Sequence, residues 1–219
     1  MGDLKLFSTD VLLVIDPQVD FCPGGKLAVM DGDAVMPVIN RVAARFEHVI
    51  VTQDWHPAEH GSFASSHPGH GAYESIAMPY GPQTLWPDHC VQGSPGAEFH
   101  PALELERMKH VELILRKGFR PEIDSYSAFY ENDHVTPTGL AGYLRERGLR
   151  RVFLAGLAYD FCVRYSAVDA VKAGFEAVVL EDACQAIDLR GANGESTVET
   201  TQREFAEAGV TQRYTSALP

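Results

Sequence analysis

Cys162 is the residue of this sequence best placed for nucleophilic chemistry. It follows the apolar run Val152 to Ala155, which ends at Gly156 and is typical of a short buried strand. It precedes apolar residues spaced as one face of a helix that Gly174 ends. Free backbone N–H groups and the helix dipole at such a junction favour a thiolate over a thiol. The alternative is that Cys162 is a small buried residue that packs the helix against the sheet.

Three other reactive side chains stand at the ends of predicted strands. Asp16 follows the run Val11–Ile15, Asp54 follows His48–Gln53, and Lys117 follows Val111–Arg116. The loops that leave the carboxyl ends of parallel strands share one edge of the sheet. We therefore expect these three residues to meet Cys162 at that edge.

Cys162, Asp16 and Lys117 make a chemically complete trio. The cysteine can attack an electrophilic carbon, and the carboxylate can accept its proton and later deliver it to a leaving group. The ammonium can stabilise the negative charge of the other two groups. The alternative for Asp16 and Lys117 is a structural ion pair that joins two strand ends.

A second group of residues has the composition of a metal site. It contains Asp54, His56, His60 and His89, all in or next to a long segment rich in His, Pro, Gly and Ser. One carboxylate and three imidazoles suit Zn²⁺, Fe²⁺ or Mn²⁺, with positions left for water or substrate. The spacing matches no standard zinc-finger or zinc-protease pattern, and Cys90 could replace His89 as a ligand.

The elements that must position these residues alternate between strand and helix. Helices are predicted at about 34–46, 139–147 and 196–208, besides the one after Cys162, and further strands at 177–180 and 210–214. Ser196 and Glu199 have the spacing of a capping box. This order predicts an α/β fold, a three-layer αβα sandwich with a central, mostly parallel sheet of about six strands. We expect one domain over residues 1–219, with a long metal-binding and lid loop at about 55–101.

Composition narrows the range of partners and locations. The chain has 219 residues, 45% of them hydrophobic, and a formal net charge of -12. This charge argues against nucleic acid and anionic membranes as partners. The four cysteines show no paired spacing, and no signal peptide or membrane-spanning run is evident, so we expect a cytoplasmic protein with free thiols.

The motifs together resemble the nicotinamidase/pyrazinamidase family, within the isochorismatase-like cysteine hydrolases. The resemblance covers about Leu12 to Asp188. It rests on six segments in order, at residues 14–25, 52–56, 60–65, 86–93, 116–118 and 155–163.

This resemblance implies an isochorismatase-like fold and hydrolysis of nicotinamide to nicotinate and ammonia, with pyrazinamide as a second substrate and a role in NAD recycling. It implies Cys162 as a nucleophile that forms a thioester, Asp16 as general acid and base, and Lys117 as electrostatic support. It also implies a cis peptide bond before Ala158 and an oxyanion hole made by the backbone N–H groups of Ala158 and Cys162.

The resemblance further implies one divalent metal ion (Zn, Fe or Mn), held by Asp54, His56, His60 and His89, that binds the pyridine nitrogen. Ser62 would act on the metal through bound water. The substrate-binding residues would be Phe21, Trp86, Tyr126, Leu157 and Tyr159, although Phe21 and Trp86 could instead be ordinary aromatic anchors of their loops. A homo-oligomer is possible within this family.

Two other functions stay open at the level of sequence. The first is a related hydrolase that acts on a different small amide or ester. The second is a non-catalytic module that binds a metal or ligand on the same fold. The metal residues favour a nicotinamidase over the first, and the complete trio favours an enzyme over the second.

Overall fold

A six-stranded parallel sheet forms the centre of the molecule. The structure is a computed structural model and describes residues 4–108, 111–191 and 194–219. The strands lie in the order β5-β2-β1-β6-β7-β8, and every neighbouring pair is parallel. Their bounds are β1 Asp10–Ile15, β2 His48–Asp54, β5 Val111–Lys117, β6 Arg151–Leu157, β7 Glu176–Gln185 and β8 Thr211–Arg213.

Four α-helices cover the two faces of this sheet. They are α1 Val35–Ala43, α2 Leu140–Glu146, α3 Arg164–Lys172 and α4 Thr197–Ala208. Alternate residues of β1 enter two different hydrophobic clusters: Leu12 packs with residues of α1, and Leu13 packs with residues of α2, α3 and α4. A strand covered on both faces must be apolar throughout, which explains why β1 is a continuous apolar run. The predicted three-layer fold is confirmed.

The segment between β2 and β5 contains structure that the sequence pattern did not predict. Residues Ser75–Met78 (β3) and Gly81–Thr84 (β4) pair as an antiparallel hairpin, separate from the central sheet. The expected long loop is therefore divided by a small β-element. Among the described residues, no helix is long and apolar enough to cross a membrane.

The chain reaches Cys162 through a tightly constrained turn. Gly156 near the end of β6 has φ +122°, and a Cβ there would lie 2.1 Å from the carbonyl oxygen of Ile15 in β1. The Leu157–Ala158 peptide bond is cis, as the resemblance implied. The next residues, Tyr159–Val163, form one π-helical turn that leads into α3. Cys162 therefore lies in a widened turn before the α-helix and not in the first turn of the helix itself.

Candidate active site

The structure brings Asp16, Lys117 and Cys162 together at the carboxyl edge of the sheet. Nζ of Lys117 lies 2.7 Å from Oδ2 of Asp16 and 3.4 Å from Sγ of Cys162. One carboxylate oxygen of Asp16 lies within 4.8 Å of the same sulfur. The thiol is thus adjacent to both a proton acceptor and a cation, which is the arrangement that the trio requires.

Lys117 is held by contacts on several sides. Its ammonium also donates to Oδ1 of Asp54 at 2.5 Å and to the carbonyl of Ser125 at 3.0 Å. Burial alone would lower the pKa of Lys117, but Asp16 and Asp54 raise it well above 10.5. The lysine is therefore a permanent positive charge in the site.

Burial governs the charge of Asp16 and Cys162. Desolvation, with the charge of Asp54, raises the pKa of Asp16 from 3.8 to about 6, although Lys117 acts in the opposite direction. Burial also raises the pKa of the Cys162 thiol well above 9.0, in spite of the nearby ammonium. Burial therefore opposes the thiolate that the sequence predicts for Cys162, and the carboxylate of Asp16 lies where it can accept the thiol proton.

Asp54, His56 and His89 form a compact group beside the trio. One ligand atom from each lies within 4.8 Å of the others, and all three residues are buried. Burial alone would raise the pKa of Asp54, but Lys117 and His56 hold it well below 3.8. The carboxylate is therefore ionised.

The two imidazoles of this group are oriented by backbone carbonyls. Nδ1 of His56 bonds to the carbonyl of Gly118 at 2.8 Å, and Nδ1 of His89 bonds to the carbonyl of Pro87 at 2.8 Å. Their Nε2 atoms therefore face Oδ2 of Asp54, at 3.5 Å and 3.7 Å. Metal-binding histidines are commonly fixed in this way, so the group fits a divalent cation.

Gly118 makes the close approach to His56 possible. It has φ +64°, and a Cβ there would lie 2.4 Å from Cε1 of the His56 ring. Only a residue without a side chain can both adopt this conformation and present its carbonyl to Nδ1 of His56.

His60 does not join Asp54 and His89. Its Nδ1 bonds to Oγ of Ser62 at 2.8 Å, and its Nε2 faces the carbonyls of Arg120 at 2.9 Å and Ile123 at 3.3 Å. Both ring nitrogens thus have partners within the protein, and one of them also lies within 4.8 Å of a ring nitrogen of His56, so His60 as a fourth ligand stays a prediction. Ser62 lies behind the site, in contact with His60.

A narrow pocket connects the two groups. The residues that line it are Phe21, Leu27, Asp54, Trp86, His89, Asp124, Tyr126, Ala158, Phe161, Cys162 and Ile187. The rings of Trp86 and Phe161 pack edge-on, with their centroids 4.8 Å apart. Nε1 of Trp86 donates to the hydroxyl of Tyr126 at 2.9 Å. A flat aromatic molecule in this pocket would touch the thiol and the metal group together.

Two predicted substrate-binding residues lie outside the pocket. The side chain of Leu157 belongs to the core on the α1 side of the sheet. Tyr159 packs against Phe205, and its hydroxyl donates to Gln212 at 2.7 Å. Neither residue lines the pocket in this structure, because the turn after β6 places Ala158, but not its two neighbours, at the pocket wall.

Several pocket residues were missed by the sequence reasoning. Phe161 could have been found, because Ala158, Phe161 and Cys162 have the i, i+3, i+4 spacing of one helical face. No sequence pattern near Ile187 indicates that it lines the pocket. Its position depends on the buried carboxylate of Asp160, which accepts the backbone N–H groups of Ile187 at 2.9 Å and Asp188 at 2.8 Å.

Comparison with known proteins identifies relatives of the whole chain. Residues 10–207 match the model of the isochorismatase domain. A nicotinamidase of Acinetobacter baylyi is 52% identical over 213 residues, which cover 97% of this chain and 95% of that protein. The solved structure of a nicotinamidase/pyrazinamidase of Acinetobacter baumanii has a TM-score of 0.91 and 50% identity, and covers 97% of this chain and 99% of its own.

Two further solved structures contain small ligands. PnC1 from L. infantum, in complex with nicotinate, has a TM-score of 0.83 and 42% identity, covering 99% of this chain and 98% of its own. A pyrazinamidase of Pyrococcus horikoshii, in complex with zinc, has a TM-score of 0.72 and 32% identity, covering 94% and 99%.

Proposed function

The chain belongs to the nicotinamidase/pyrazinamidase family of isochorismatase-like amidohydrolases, and from this premise we propose that it hydrolyses nicotinamide, and pyrazinamide, through a thioester on Cys162. The observation that carries the proposal is the single pocket lined by both Cys162 and the metal group. Relatives that are 50–52% identical over nearly the whole chain bear the same activity in their names. The nicotinate product would supply NAD recycling.

The first half of the reaction forms the acyl-enzyme. Asp16 accepts the thiol proton as Sγ of Cys162 attacks the carboxamide carbon. Lys117 lies 3.4 Å from the sulfur and stabilises the negative charge that develops on the sulfur during the attack. The backbone N–H groups of Ala158 and Cys162 would stabilise the oxyanion. The C–N bond then breaks as Asp16 returns the proton to the nitrogen, and ammonia leaves.

The second half releases the acid. Asp16, again a carboxylate, takes a proton from a water molecule that attacks the thioester carbon. The C–S bond breaks, the sulfur recovers the proton from Asp16, and the carboxylic acid departs. Atoms balance as one amide and one water giving one acid and one ammonia.

Asp54, His56 and His89 would hold one divalent cation in this enzyme. When bound, the cation supplies a Lewis-acidic site for the ring nitrogen of the substrate. This role is supported by the oriented Nε2 atoms and by the zinc-bound pyrazinamidase relative. Trp86 and Phe21 would contact the ring, so that the carboxamide points towards Cys162.

The proposal is tested by ammonia release and by mass spectrometry. The wild-type enzyme is expected to release ammonia from nicotinamide, and an acid quench during turnover should reveal Cys162 with an added pyridine-3-carbonyl group. Cys162→Ala should show neither, while it still binds nicotinate. Turnover by Cys162→Ala would exclude the thioester, and no ammonia from the wild type with Zn²⁺, Fe²⁺ or Mn²⁺ would exclude the substrate.

A further inference from the structure

Asp124 is a buried carboxylate of the pocket that the reaction steps do not use. It is 2% exposed and lines the same cavity as Asp54, His89 and Cys162. One of its oxygens lies within 4.8 Å of ring nitrogens of His56 and His60. Asp124 is therefore a second acidic group next to the histidine that would bind the cation.

The carboxylate of Asp124 is only partly satisfied by the protein. Oδ1 accepts the N–H of Ser125 at 2.8 Å, and Oδ2 accepts Nε2 of Gln83 at 3.1 Å. An ionised carboxylate can accept about four hydrogen bonds, so these two donors leave acceptor capacity free. Within residues 4–108, 111–191 and 194–219, no lysine or arginine forms an ion pair with it.

The buried carboxylates around the site favour a cation. Asp16, Asp54 and Asp124 are all buried, and the ammonium of Lys117 pairs with Asp16 and Asp54. Buried carboxylates are commonly paired with a cation or bind a metal. A divalent cation beside His56 would give Asp124 the positive partner that Lys117 gives to the other two carboxylates.

The hairpin β3–β4 fixes the orientation of Asp124. Gln83, fully buried in β4, accepts hydrogen bonds at Oε1 from Tyr80 at 3.1 Å and Asn132 at 3.0 Å. These contacts turn its Nε2 towards Asp124 and towards the hydroxyl of Tyr126, at 2.7 Å. The amide is thus held so that it can donate to the carboxylate.

We propose that Asp124 is a metal-site residue whose carboxylate acts on the cation from outside its three direct ligands, with Gln83 of the hairpin holding it in place. The inference rests on the metal site of the proposed function. It assigns Asp124 a positioning and electrostatic role, and it gives the hairpin a function in building the cation site.

The test measures the Zn²⁺ dissociation constant by competition with a chromogenic chelator. Asp124→Asn removes the charge and keeps the shape, so Zn²⁺ affinity is expected to fall about 10- to 100-fold, the range for loss of residues that support metal ligands. Asp160→Asn is the matched control: Asp160 is also a fully buried carboxylate that accepts backbone N–H groups, but its partners are Ile187, Asp188 and the hydroxyl of Thr197. Its Zn²⁺ affinity should stay within twofold of the wild type.

A second readout separates this role from a structural one. Asp124→Asn should reduce the rise in melting temperature that saturating Zn²⁺ produces, because bound metal stabilises in proportion to the logarithm of its affinity. Asp124→Ser, a smaller uncharged side chain, should do the same if the Asn amide prevents folding.

The outcomes distinguish this inference from the proposed function. Wild-type affinity for Zn²⁺ in a folded, uncharged variant at position 124 would overturn the role of Asp124 and leave the metal site intact. An equal loss of affinity in Asp160→Asn would also overturn it. Failure of the wild type to bind Zn²⁺, Fe²⁺ or Mn²⁺ would overturn both the role of Asp124 and the metal site of the proposed function.

Discussion

At the scale of residues, burial of the Cys162 sulfur favours activation by proton transfer over a preformed thiolate. Cys162 is 6% exposed, and burial disfavours the charged form of a thiol more strongly than one ammonium at 3.4 Å favours it. Asp16 is buried too, and its pKa of about 6 means that it is mostly ionised at neutral pH but is protonated by a small fall in pH. A base with a pKa near the working pH transfers protons efficiently in both directions, as a step that alternates between base and acid requires.

The raised pKa of Asp16 predicts an acid limb in the pH profile. Asp16 must be ionised to accept the thiol proton, and a raised pKa means that it becomes protonated at a higher pH than an ordinary aspartate. We expect kcat/KM for nicotinamide to be constant above about pH 7 and to fall tenfold per pH unit below about pH 6, measured at saturating metal.

Two controls separate this acid limb from ionisation of the substrate and from loss of the metal at low pH. The same limb should appear with pyrazinamide, and bound Zn²⁺ measured at each pH should not fall along with activity. A rate that stays constant down to pH 4.5 would contradict the assignment of Asp16 as the base.

At the scale of elements, the end of β5 contacts both groups of the site. Lys117, the last residue of β5, contacts Asp16 and Cys162, and the next residue, Gly118, supports His56. Two adjacent residues thus connect the acyl-transfer trio to the cation site. A change in the backbone here should affect both.

Gly118→Ala is expected to damage the metal site beyond its effect on the backbone. The added Cβ would lie 2.4 Å from the ring of His56, so the ring must leave the position in which its Nε2 faces Asp54. Gly148→Ala is the matched control, because Gly148 also has a positive φ (+71°) but no atom within 4 Å of its Cβ. Both variants should lose about 1–2 kcal/mol from the unfavourable left-handed conformation.

The Zn²⁺ dissociation constant of each purified variant separates the two. We expect Gly118→Ala to lose at least tenfold in Zn²⁺ affinity and Gly148→Ala to keep it. Equal affinity in both would show that the contact between Gly118 and His56 does not fix the ligand.

Much of this architecture was predictable from the sequence, and for a physical reason. A continuous apolar run such as β1 must be covered on both faces, and the residue after it must lie at the carboxyl edge, so Asp16 could be placed without a structure. The capping box of α4 is local as well: Ser196 accepts the N–H of Glu199, whose carboxylate accepts the N–H of Ser196.

The features that the sequence did not predict depend on contacts between distant segments or on burial. The strands of the β3–β4 hairpin have four residues each and contain Gly81 and Pro82, so no alternating pattern was available. Asp124 meets Gln83 across 41 positions in the sequence. Nothing in the sequence indicates the carbonyls of Arg120 and Ile123 that lie near Nε2 of His60, because these contacts cross 60 and 63 positions of the chain.

At the scale of the whole molecule, the functional groups are carried by segments that span most of the chain. Asp16 follows β1, Asp54 ends β2, His89 comes after the hairpin, Lys117 ends β5, and Cys162 follows β6. The strands β5, β2, β1 and β6 are consecutive in the sheet, with β5 at its edge, which brings these residues together. A cation bound to Asp54, His56 and His89 would therefore cross-link β2 to the segment that carries His89.

Removal of the metal should lower the stability of the entire fold. A cation that binds the folded state and not the unfolded one stabilises by about 2.7 kcal/mol at 100 times its dissociation constant. For a protein of this size that corresponds to a melting temperature about 5–10 °C higher with metal than after chelation. Cys162→Ala should show the same shift because its side chain is not among the three ligands, whereas His56→Ala should show little or none. An identical melting temperature for the wild type with Zn²⁺ and after chelation would contradict a resident metal that spans these segments.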